Sequence, residues 1–262
     1  MTSLRMLPNG LNVVQVNQTE TDYLYREIFT DAVYLPPGGI TLPDRPVVVD
    51  VGANIGLFTL FAASQWPGAV VHACEPVPDV FDVLRDNIRA LPGATAHNVA
   101  LGGSAGRREL TYYPSYTMMS GFDADDEANR ELVRAHITNT SGPERRAAVL
   151  DAVDAVLADR LVGQNVACEV TTLTQFVADF AVERIDFLKV DVEGAEVEVL
   201  QGIDGDTWRK IGFLAVEVLD RDGELAEVRR LLRENGFSSA EHQEAAYWGT
   251  GLHLVYARLA GL

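Results

Sequence analysis

The sequence predicts an α/β fold, with helices on both faces of a doubly wound, mostly parallel sheet. Short apolar runs rich in β-branched residues alternate along the chain with amphipathic helical stretches, which is typical of such sheets. Several of these runs are almost continuously apolar, as expected for strands that are covered on both faces. A glycine turn directly follows the first run, 47–51, and leads into a helix, as in nucleotide-binding α/β folds.

Six strands and three helices are predicted for the core. The helices show apolar residues at spacings of three and four, and Gly236 follows the last of them as a C-cap. A chain of 262 residues is long enough to bury a sizeable core, so we expect a single domain over residues 1–262. The predicted strands are 47–51, 69–73, 94–100, 185–190, 212–218 and 252–256, and the helices are 57–64, 79–90 and 224–235.

The alternation is interrupted once, between residues 101 and 184. Strand-like pieces at 108–113 and 166–171 surround a polar, helical stretch. We therefore expect 101–184 to be a lid-like insertion between the third and fourth core strands, and 1–45 to be an N-terminal lid segment.

Charge and hydropathy limit the classes of partner. Lys and Arg number 21 against 38 Asp and Glu, and a net charge of −17 repels a phosphate backbone, so no nucleic-acid partner is expected. No apolar run approaches the roughly 20 residues of a membrane span. The N-terminus has no secretory signal pattern, and two cysteines cannot form a disulfide framework. We expect a cytoplasmic protein without a membrane partner, and the sequence does not predict its oligomeric state.

The turn after the first strand predicts a nucleoside-type cofactor. Gly52 and Gly56 allow a tight turn and a ligand against bare backbone. Asn54 stands where a dinucleotide-binding turn has the glycine that makes room for a pyrophosphate, which disfavours a dinucleotide. Asp50, at the strand tip, is predicted to receive a cationic amino group. Glu75 follows the next strand at close to the spacing of about 20 residues at which a carboxylate reaches ribose hydroxyls.

Six segments carry a resemblance to a known family: VDVGANIG, HACEP, NVALG, IDFLKVDVEGAEVEVLQGI, YREIFTD and YPSYTMMSGF. Together they resemble the FkbM-type S-adenosylmethionine-dependent O-methyltransferases. The resemblance extends nearly end to end and is especially close to a stand-alone, macrolide-tailoring type. It implies a class I methyltransferase fold and transfer of a methyl group to a hydroxyl, but it does not fix the acceptor. Our leading hypothesis for the acceptor is a bulky secondary metabolite, a polyketide or macrolide. A sugar O-methyltransferase, an NAD-binding oxidoreductase and a non-catalytic cofactor-binding protein are the alternatives.

The resemblance also implies cofactor-binding roles. The glycine turn, Asp50 and Glu75 keep the roles given above. Asn98 matches the third strand tip, which borders the adenine, although asparagine also simply closes turns. Tyr25 and Arg26 match a segment that folds over the methionine end, where Arg26 would pair with the carboxylate; an ordinary exposed helix is the alternative.

Catalytic candidates follow the fourth strand. Lys189, Asp191 and Glu193 alternate, which points all three to one face if the strand continues. Asp191 is the first candidate for the base or for orienting the acceptor, and Glu193 is the second; a structural ion pair with Lys189 is the alternative. His253 matches the family, although such a histidine is also common in a core. His136 could reach the acceptor if the insertion folds over the site.

Acceptor-binding candidates come from the insertion and from the fifth strand. Met118, Met119 and Ser120 follow a tyrosine-rich stretch, and such side chains adapt to large apolar ligands. Glu217, near the end of the fifth strand, is the fourth candidate. With Asp191 it offers only two carboxylates, so no metal site is predicted.

Overall fold

The computed structural model describes residues 2–261, without the side chains of residues 143–145, 147, 148 and 151. Single turns of π- or 3₁₀-helix occur at Arg26–Thr30, Thr117–Met119 and Ala245–Tyr247. The longer elements in this range are β1 Ser3–Met6, β2 Asn12–Gln15, α1 Gln18–Tyr25, β3 Val47–Val51, α2 Leu57–Gln65, β4 Val70–Cys74, α3 Pro78–Ile88, β5 Ala94–His97, β6 Ala100–Leu101, β7 Gly106–Tyr112, α4 Asp126–Thr140, α5 Pro143–Arg160, β8 Gln164–Thr171, α6 Leu173–Asp179, β9 Phe187–Val190, α7 Glu196–Gln201, α8 Gly205–Trp208, β10 Phe213–Leu219, α9 Glu224–Glu234, β11 Phe237–His242 and β12 Leu252–Leu259.

The central sheet has seven strands in the order β11-β12-β10-β9-β3-β4-β5. Strands β5, β4, β3, β9 and β10 are parallel to one another, and β12 is antiparallel to both β10 and β11. The predicted doubly wound, mostly parallel sheet is confirmed. The strand order reverses beside β3, which pairs with β4 on one side and with β9 on the other. A crevice opens beyond the carboxyl ends of strands at such a switch point.

Helices cover the sheet on both faces because its strands are apolar on both faces. Val48 and Phe187 pack with Phe58 of α2 in one apolar cluster. Val49 and Leu188, one residue further along each strand, pack in a second cluster on the opposite face. This alternation follows from the two-residue period of a strand.

The insertion between β5 and β9 forms a second sheet of three strands, in the order β6-β8-β7. Helices α4 and α5 lie between β7 and β8 in the chain and pack on each other. Tyr113, Met119 and Leu157 belong to a small apolar cluster of this region. The predicted strand 94–100 is divided, because the chain leaves the central sheet after His97 and pairs Ala100 with β8 of the second sheet.

The N-terminal segment begins with a β1–β2 hairpin that the sequence analysis did not predict. Helix α1 follows, and the Asn17 side chain caps it by accepting hydrogen bonds from the backbone N–H groups of Thr19 and Glu20. Between residues 2 and 261, no helix combines the length and the apolar character needed to cross a membrane.

Candidate active site

A cleft lies at the carboxyl ends of β3, β4, β9 and β10, where the strand order reverses. The glycine turn and Glu75 line one part of it, and the residues that follow β9 line another. The N-terminal segment, the Thr117–Met119 turn, helix α4 and Tyr247 also contribute to its wall. One enclosed space is therefore bordered both by the predicted cofactor residues and by the predicted acceptor residues.

Gly52 and Gly56 are required for different reasons. Both have positive φ, +77° and +89°. A Cβ atom on Gly52 would lie 1.8 Å from the backbone oxygen of Asp191. Only glycine therefore leaves room for the backbone at the tip of β9. A Cβ atom on Gly56 would lie 2.7 Å from Cδ1 of Leu84. Gly52 lines the cleft. Gly56 packs against helix α3 instead and does not line the cleft, so the prediction that Gly56 contacts the cofactor directly is corrected.

Asn54 connects the glycine turn to the insertion. It has a φ of +49°, which asparagine tolerates better than most residues. Its Nδ2 donates a hydrogen bond to Oγ1 of Thr117 at 3.0 Å, and its Oδ1 accepts one from the Ile55 N–H at 2.7 Å. Asn54 lines the cleft, but its side-chain atoms hold the Thr117–Met119 turn over the site.

Glu75 is 6% exposed and lines the cleft beside the glycine turn. Its Oε1 accepts a hydrogen bond from the Val77 N–H at 2.9 Å, and its Oε2 accepts one from the Asn54 N–H at 3.0 Å. Burial raises the pKa of Glu75 to about 7, although these two N–H groups act in the opposite direction. Each carboxylate oxygen keeps a second lone pair, so Glu75 can still accept hydrogen bonds from two ribose hydroxyls.

Asp50 is not in the cleft, which corrects the prediction that it receives an amino group. Its side chain is 0% exposed and is directed toward helix α2. Oγ1 of Thr59 donates a hydrogen bond to it at 2.8 Å, and Nζ of Lys189 lies 3.5 Å from its Oδ1. Side chains two residues apart in a strand lie on the same face of the sheet, so Asp50 lies on the face of β3 that carries Val48 and packs against α2.

Three further cofactor predictions are corrected. Asn98 is exposed and outside the cleft, and its Nδ2 donates to the carbonyl oxygens of Glu75 and Pro76, so it fixes the turn that carries Glu75. Tyr25 stacks on Phe29 with ring centroids 5.0 Å apart. The Arg26 side chain is 75% exposed and pairs with Asp31. Val99, beside Asn98, does line the cleft.

Tyr23 and Glu27 line the cleft in place of Tyr25 and Arg26. They are four residues apart and therefore share a helix face, which the two predicted residues do not share with them. Oη of Tyr23 donates to Oε1 of Glu27 at 3.0 Å. The sequence signal was the i, i+4 spacing of a tyrosine and a glutamate within the YLYRE stretch, a pattern too common to identify a site by itself.

Lys189 and Asp191 form an ion pair at the tip of β9. Nζ of Lys189 lies 3.2 Å from Oδ2 of Asp191 and donates a hydrogen bond to the Gly52 carbonyl oxygen at 2.8 Å. Lys189 is 3% exposed. Burial acts to lower its pKa, but Asp191 and Asp50 outweigh it, so the pKa is raised and the amine stays charged. Oη of Tyr34 donates a second hydrogen bond to Oδ2 of Asp191, at 2.7 Å.

Asp191 also belongs to a group of three carboxylates with Glu193 and Glu217, and all three line the cleft. One oxygen of each lies within 4.8 Å of the others, an arrangement that could hold a divalent cation. The prediction that only two carboxylates meet here was wrong, because the chain turns at Glu193, whose φ is +56°. Glu196 holds this turn by accepting hydrogen bonds from the N–H groups of Val192 and Gly194.

Negative charge is concentrated in this part of the cleft. Burial, followed by repulsion from Asp191, raises the pKa of Glu27 to about 8, and the same two causes, in the same order, raise the pKa of Glu193 and of Glu217 well above the usual value. Lys189 and Arg221 also line the cleft, and Lys189 already faces Asp50 and Asp191. The cleft is therefore suited to a positively charged group.

Of the two histidine candidates, only His136 lines the cleft. It lies on α4 and makes an edge contact with Tyr23, with ring centroids 5.6 Å apart. His253 does not line the cleft, although Leu252 does. Because side chains alternate along β12, His253 faces the opposite side of the strand, so its assignment as a catalytic residue is corrected.

The insertion reaches the cleft through the turn Thr117–Met119, and Met118, Met119 and Ser120 all line the cleft. Buried Glu20 of α1 fixes this turn by accepting hydrogen bonds from the N–H groups of Thr117 and Met118, at 3.1 and 2.7 Å. These three predicted acceptor residues thus lie where an acceptor could contact them, and Glu217 lines the same cleft.

Sequence comparison identifies relatives over nearly the whole chain. Residues 50–239 match the model of the methyltransferase FkbM domain. The 31-O-demethyl-FK506 methyltransferase FkbM of Streptomyces tacrolimicus is 42% identical over 253 residues, covering 96% of this chain and 95% of that protein. The AMB antimetabolite synthetase AmbE of Pseudomonas aeruginosa is 38% identical over 96% of this chain, which spans 12% of AmbE.

Structural comparison agrees with the sequence. The crystal structure of methyltransferase FkbM from Methylobacillus flagellatus has a TM-score of 0.53 and 16% sequence identity, and the match covers 88% of this chain and 47% of that one. This similarity confirms the methyltransferase fold that the sequence motifs imply. The family model covers most of the chain, and the Streptomyces relative covers nearly all of it. The chain therefore belongs to the FkbM methyltransferase family.

Proposed function

We propose that the protein transfers a methyl group from S-adenosylmethionine to a hydroxyl of a bulky small-molecule natural product. The observation that carries this proposal is the single cleft bordered by the glycine turn, Glu75 and the acidic residues after β9. Bare backbone at Gly52 and the carboxylate of Glu75 suit a nucleoside. The relative named for 31-O-demethyl-FK506 supports a hydroxyl acceptor on a macrolide.

The acidic residues suit the methyl-transfer end of such a cofactor. When bound, S-adenosylmethionine supplies a methyl group on a positively charged sulfur, and Asp191, Glu193 and Glu217 present carboxyl oxygens that suit a cation. Transfer is an in-line displacement, so the protein chiefly aligns the acceptor oxygen with the methyl carbon. Asp191 is held in one position by Lys189 and Tyr34 and is therefore suited to orienting the acceptor hydroxyl.

The remaining wall of the cleft favours a large and partly apolar acceptor. Met118, Phe122, Leu132 and Val133, all from the insertion, line it. Apolar walls with a few polar groups are typical of sites for drug-sized ligands. A macrolide or polyketide fits this lining better than a free sugar, whose many hydroxyls would need polar partners.

The test has two steps. Calorimetry should first show binding of S-adenosylmethionine and of its demethylated product to the purified protein. The protein is then incubated with methyl-labelled S-adenosylmethionine and either 31-O-demethyl-FK506 or a panel of hydroxylated polyketides and sugars, and labelled products are identified by mass spectrometry. Label on a carbon or nitrogen atom of the product would contradict O-methylation, and failure to bind S-adenosylmethionine would contradict the proposal as a whole.

A further inference from the structure

We propose that Glu27 is the general base that takes the proton from the acceptor hydroxyl. This inference rests on the proposed function, since it assigns a step of that reaction. Three features of the cleft carry it: the position of Glu27, its hydrogen bonds, and the partners that occupy the other carboxylates.

Glu27 reaches the acidic part of the cleft from the N-terminal segment, not from the sheet. It lies in the π-helical turn Arg26–Thr30, and such turns occur frequently at functional sites. Its side chain lines the same space as Asp191 and Glu217. The site is thus completed by a segment that is remote in sequence from the strand tips.

A hydrogen-bonded chain holds Glu27 in place. Oη of Tyr23 donates to Oε1 of Glu27 at 3.0 Å, and the Tyr23 hydroxyl is in turn hydrogen-bonded to the hydroxyl of Tyr247. Across the part of the chain that the structure describes, Oε2 of Glu27 has no hydrogen-bond partner and the carboxylate forms no ion pair. A base that is oriented through one atom and free at another is the arrangement needed for proton abstraction.

The other carboxylates of the cleft are less suited to this role. Oδ2 of Asp191 already faces the Lys189 amine in an ion pair and accepts a hydrogen bond from Tyr34, so this carboxylate is engaged by a cation. Glu193 and Glu217 have no orienting hydrogen bond among the described side chains, and both belong to the group of three that suits a cation. Of these four, Glu27 has an orienting neutral donor and no ion pair among the described residues.

The proposed step balances in atoms and charge. The acceptor O–H bond breaks and its proton passes to Glu27, while the acceptor oxygen forms a bond to the methyl carbon. The bond between that carbon and sulfur breaks, and its electron pair leaves with sulfur, which becomes a neutral thioether. Glu27 ends protonated and releases its proton to solvent before the next turnover.

The test uses two known ligands, so that it does not depend on the identity of the acceptor. Sinefungin carries an ammonium group where S-adenosylmethionine carries the transferred methyl, and S-adenosylhomocysteine carries nothing there. Calorimetry at pH 8.5 gives the ratio of their affinities. Glu27→Gln should lower the affinity for sinefungin about 10- to 150-fold, as expected for the loss of one charged hydrogen bond, and leave the affinity for S-adenosylhomocysteine unchanged.

Two further variants make the result specific. Glu244→Gln removes a nearby negative charge that does not line the cleft, and should change the affinity ratio less than threefold. Tyr23→Phe removes the orienting hydroxyl and should lower the ratio by less than Glu27→Gln does. An equal change of the ratio in Glu27→Gln and Glu244→Gln, or no change in either, would overturn the assignment of Glu27. If neither ligand binds to the wild-type protein, the proposed function fails instead.

Discussion

Lys189→Met tests whether the buried charges around the tip of β9 stabilise one another. The substitution keeps an unbranched, apolar side chain as far as Cε but removes the amine. In the wild type, that amine lies 3.5 Å from Oδ1 of Asp50 and 3.2 Å from Oδ2 of Asp191. Without the amine, Asp50 remains 0% exposed with only the hydroxyl of Thr59 as a described donor. Asp191 keeps its hydrogen bond from Tyr34.

We expect Lys189→Met to lower the free energy of unfolding, because it leaves Asp50 buried without its cation. Removing one partner of a buried ion pair typically costs about 3–5 kcal/mol, which is a large part of the roughly 5–15 kcal/mol by which a folded domain is stable. Burial already raises the pKa of Asp50, and Lys189 opposes that rise. In the variant the pKa therefore rises further. The loss of stability should be largest at high pH and should shrink as the pH falls and Asp50 binds a proton.

Urea unfolding of four proteins measures this effect: the wild type, Lys189→Met, Asp50→Asn and the double variant. The double variant should recover about 2 kcal/mol relative to the sum of the single losses, because it no longer buries an unpaired charge. Lys210→Met is the matched control, since Lys210 is half-buried and its side-chain amine donates only to the Val182 carbonyl oxygen among the described residues. Strictly additive losses in the double variant, or a loss below about 1 kcal/mol for Lys189→Met, would refute this account of the ion pair.

Four further predictions concern the cofactor, the acceptor, pH and metal ions. Glu75→Ala should weaken the binding of S-adenosylmethionine roughly 10- to 150-fold in calorimetry, because a charged hydrogen-bond partner is lost; unchanged affinity would contradict its contact with ribose. Asp191→Asn should lower turnover about 10²-fold with little change in cofactor affinity, because a misplaced acceptor hydroxyl reacts more slowly; a variant that is less stable but equally active would show Asp191 to be structural. Burial and then the neighbouring His72 lower the pKa of His97 to about 4, so between about pH 6.5 and 4 the unfolded chain binds a proton that the folded protein does not. Thermal stability should therefore fall as the pH falls through this window, and less steeply in His97→Gln; equal slopes would contradict this. Turnover should persist after chelation of divalent ions, because Lys189 and the sulfonium already offer positive charge to the acidic residues. A loss of turnover that added magnesium restores would instead make Asp191, Glu193 and Glu217 a metal centre.

The sequence alone determined the features that depend on neighbouring residues in the chain. The strand–turn–helix around the glycine turn, Glu75 beyond the second strand and the acidic residues after the fourth strand were all predicted, because each is encoded within a short continuous segment. The carboxyl ends of parallel strands meet at one edge of a sheet, so their approximate proximity followed from the strand alternation.

Only the tertiary structure decided which side chains enter the cleft. Asp50 was predicted to face the cofactor, yet it is buried against Lys189, because a strand residue changes face with each step. Tyr23 and Glu27 replaced Tyr25 and Arg26, because the helix face that turns toward the cleft depends on how the N-terminal segment packs on the sheet.

The convergence of charges was likewise not determined by the sequence. Glu27, Asp191 and Glu217 come from three distant parts of the chain, and no local pattern relates them. Their proximity depends on the strand order, which places β9 and β10 side by side, and on the N-terminal segment, which lines the same cleft. Local sequence specifies the conformation of each segment, whereas the burial of apolar faces against one another fixes which distant segments meet.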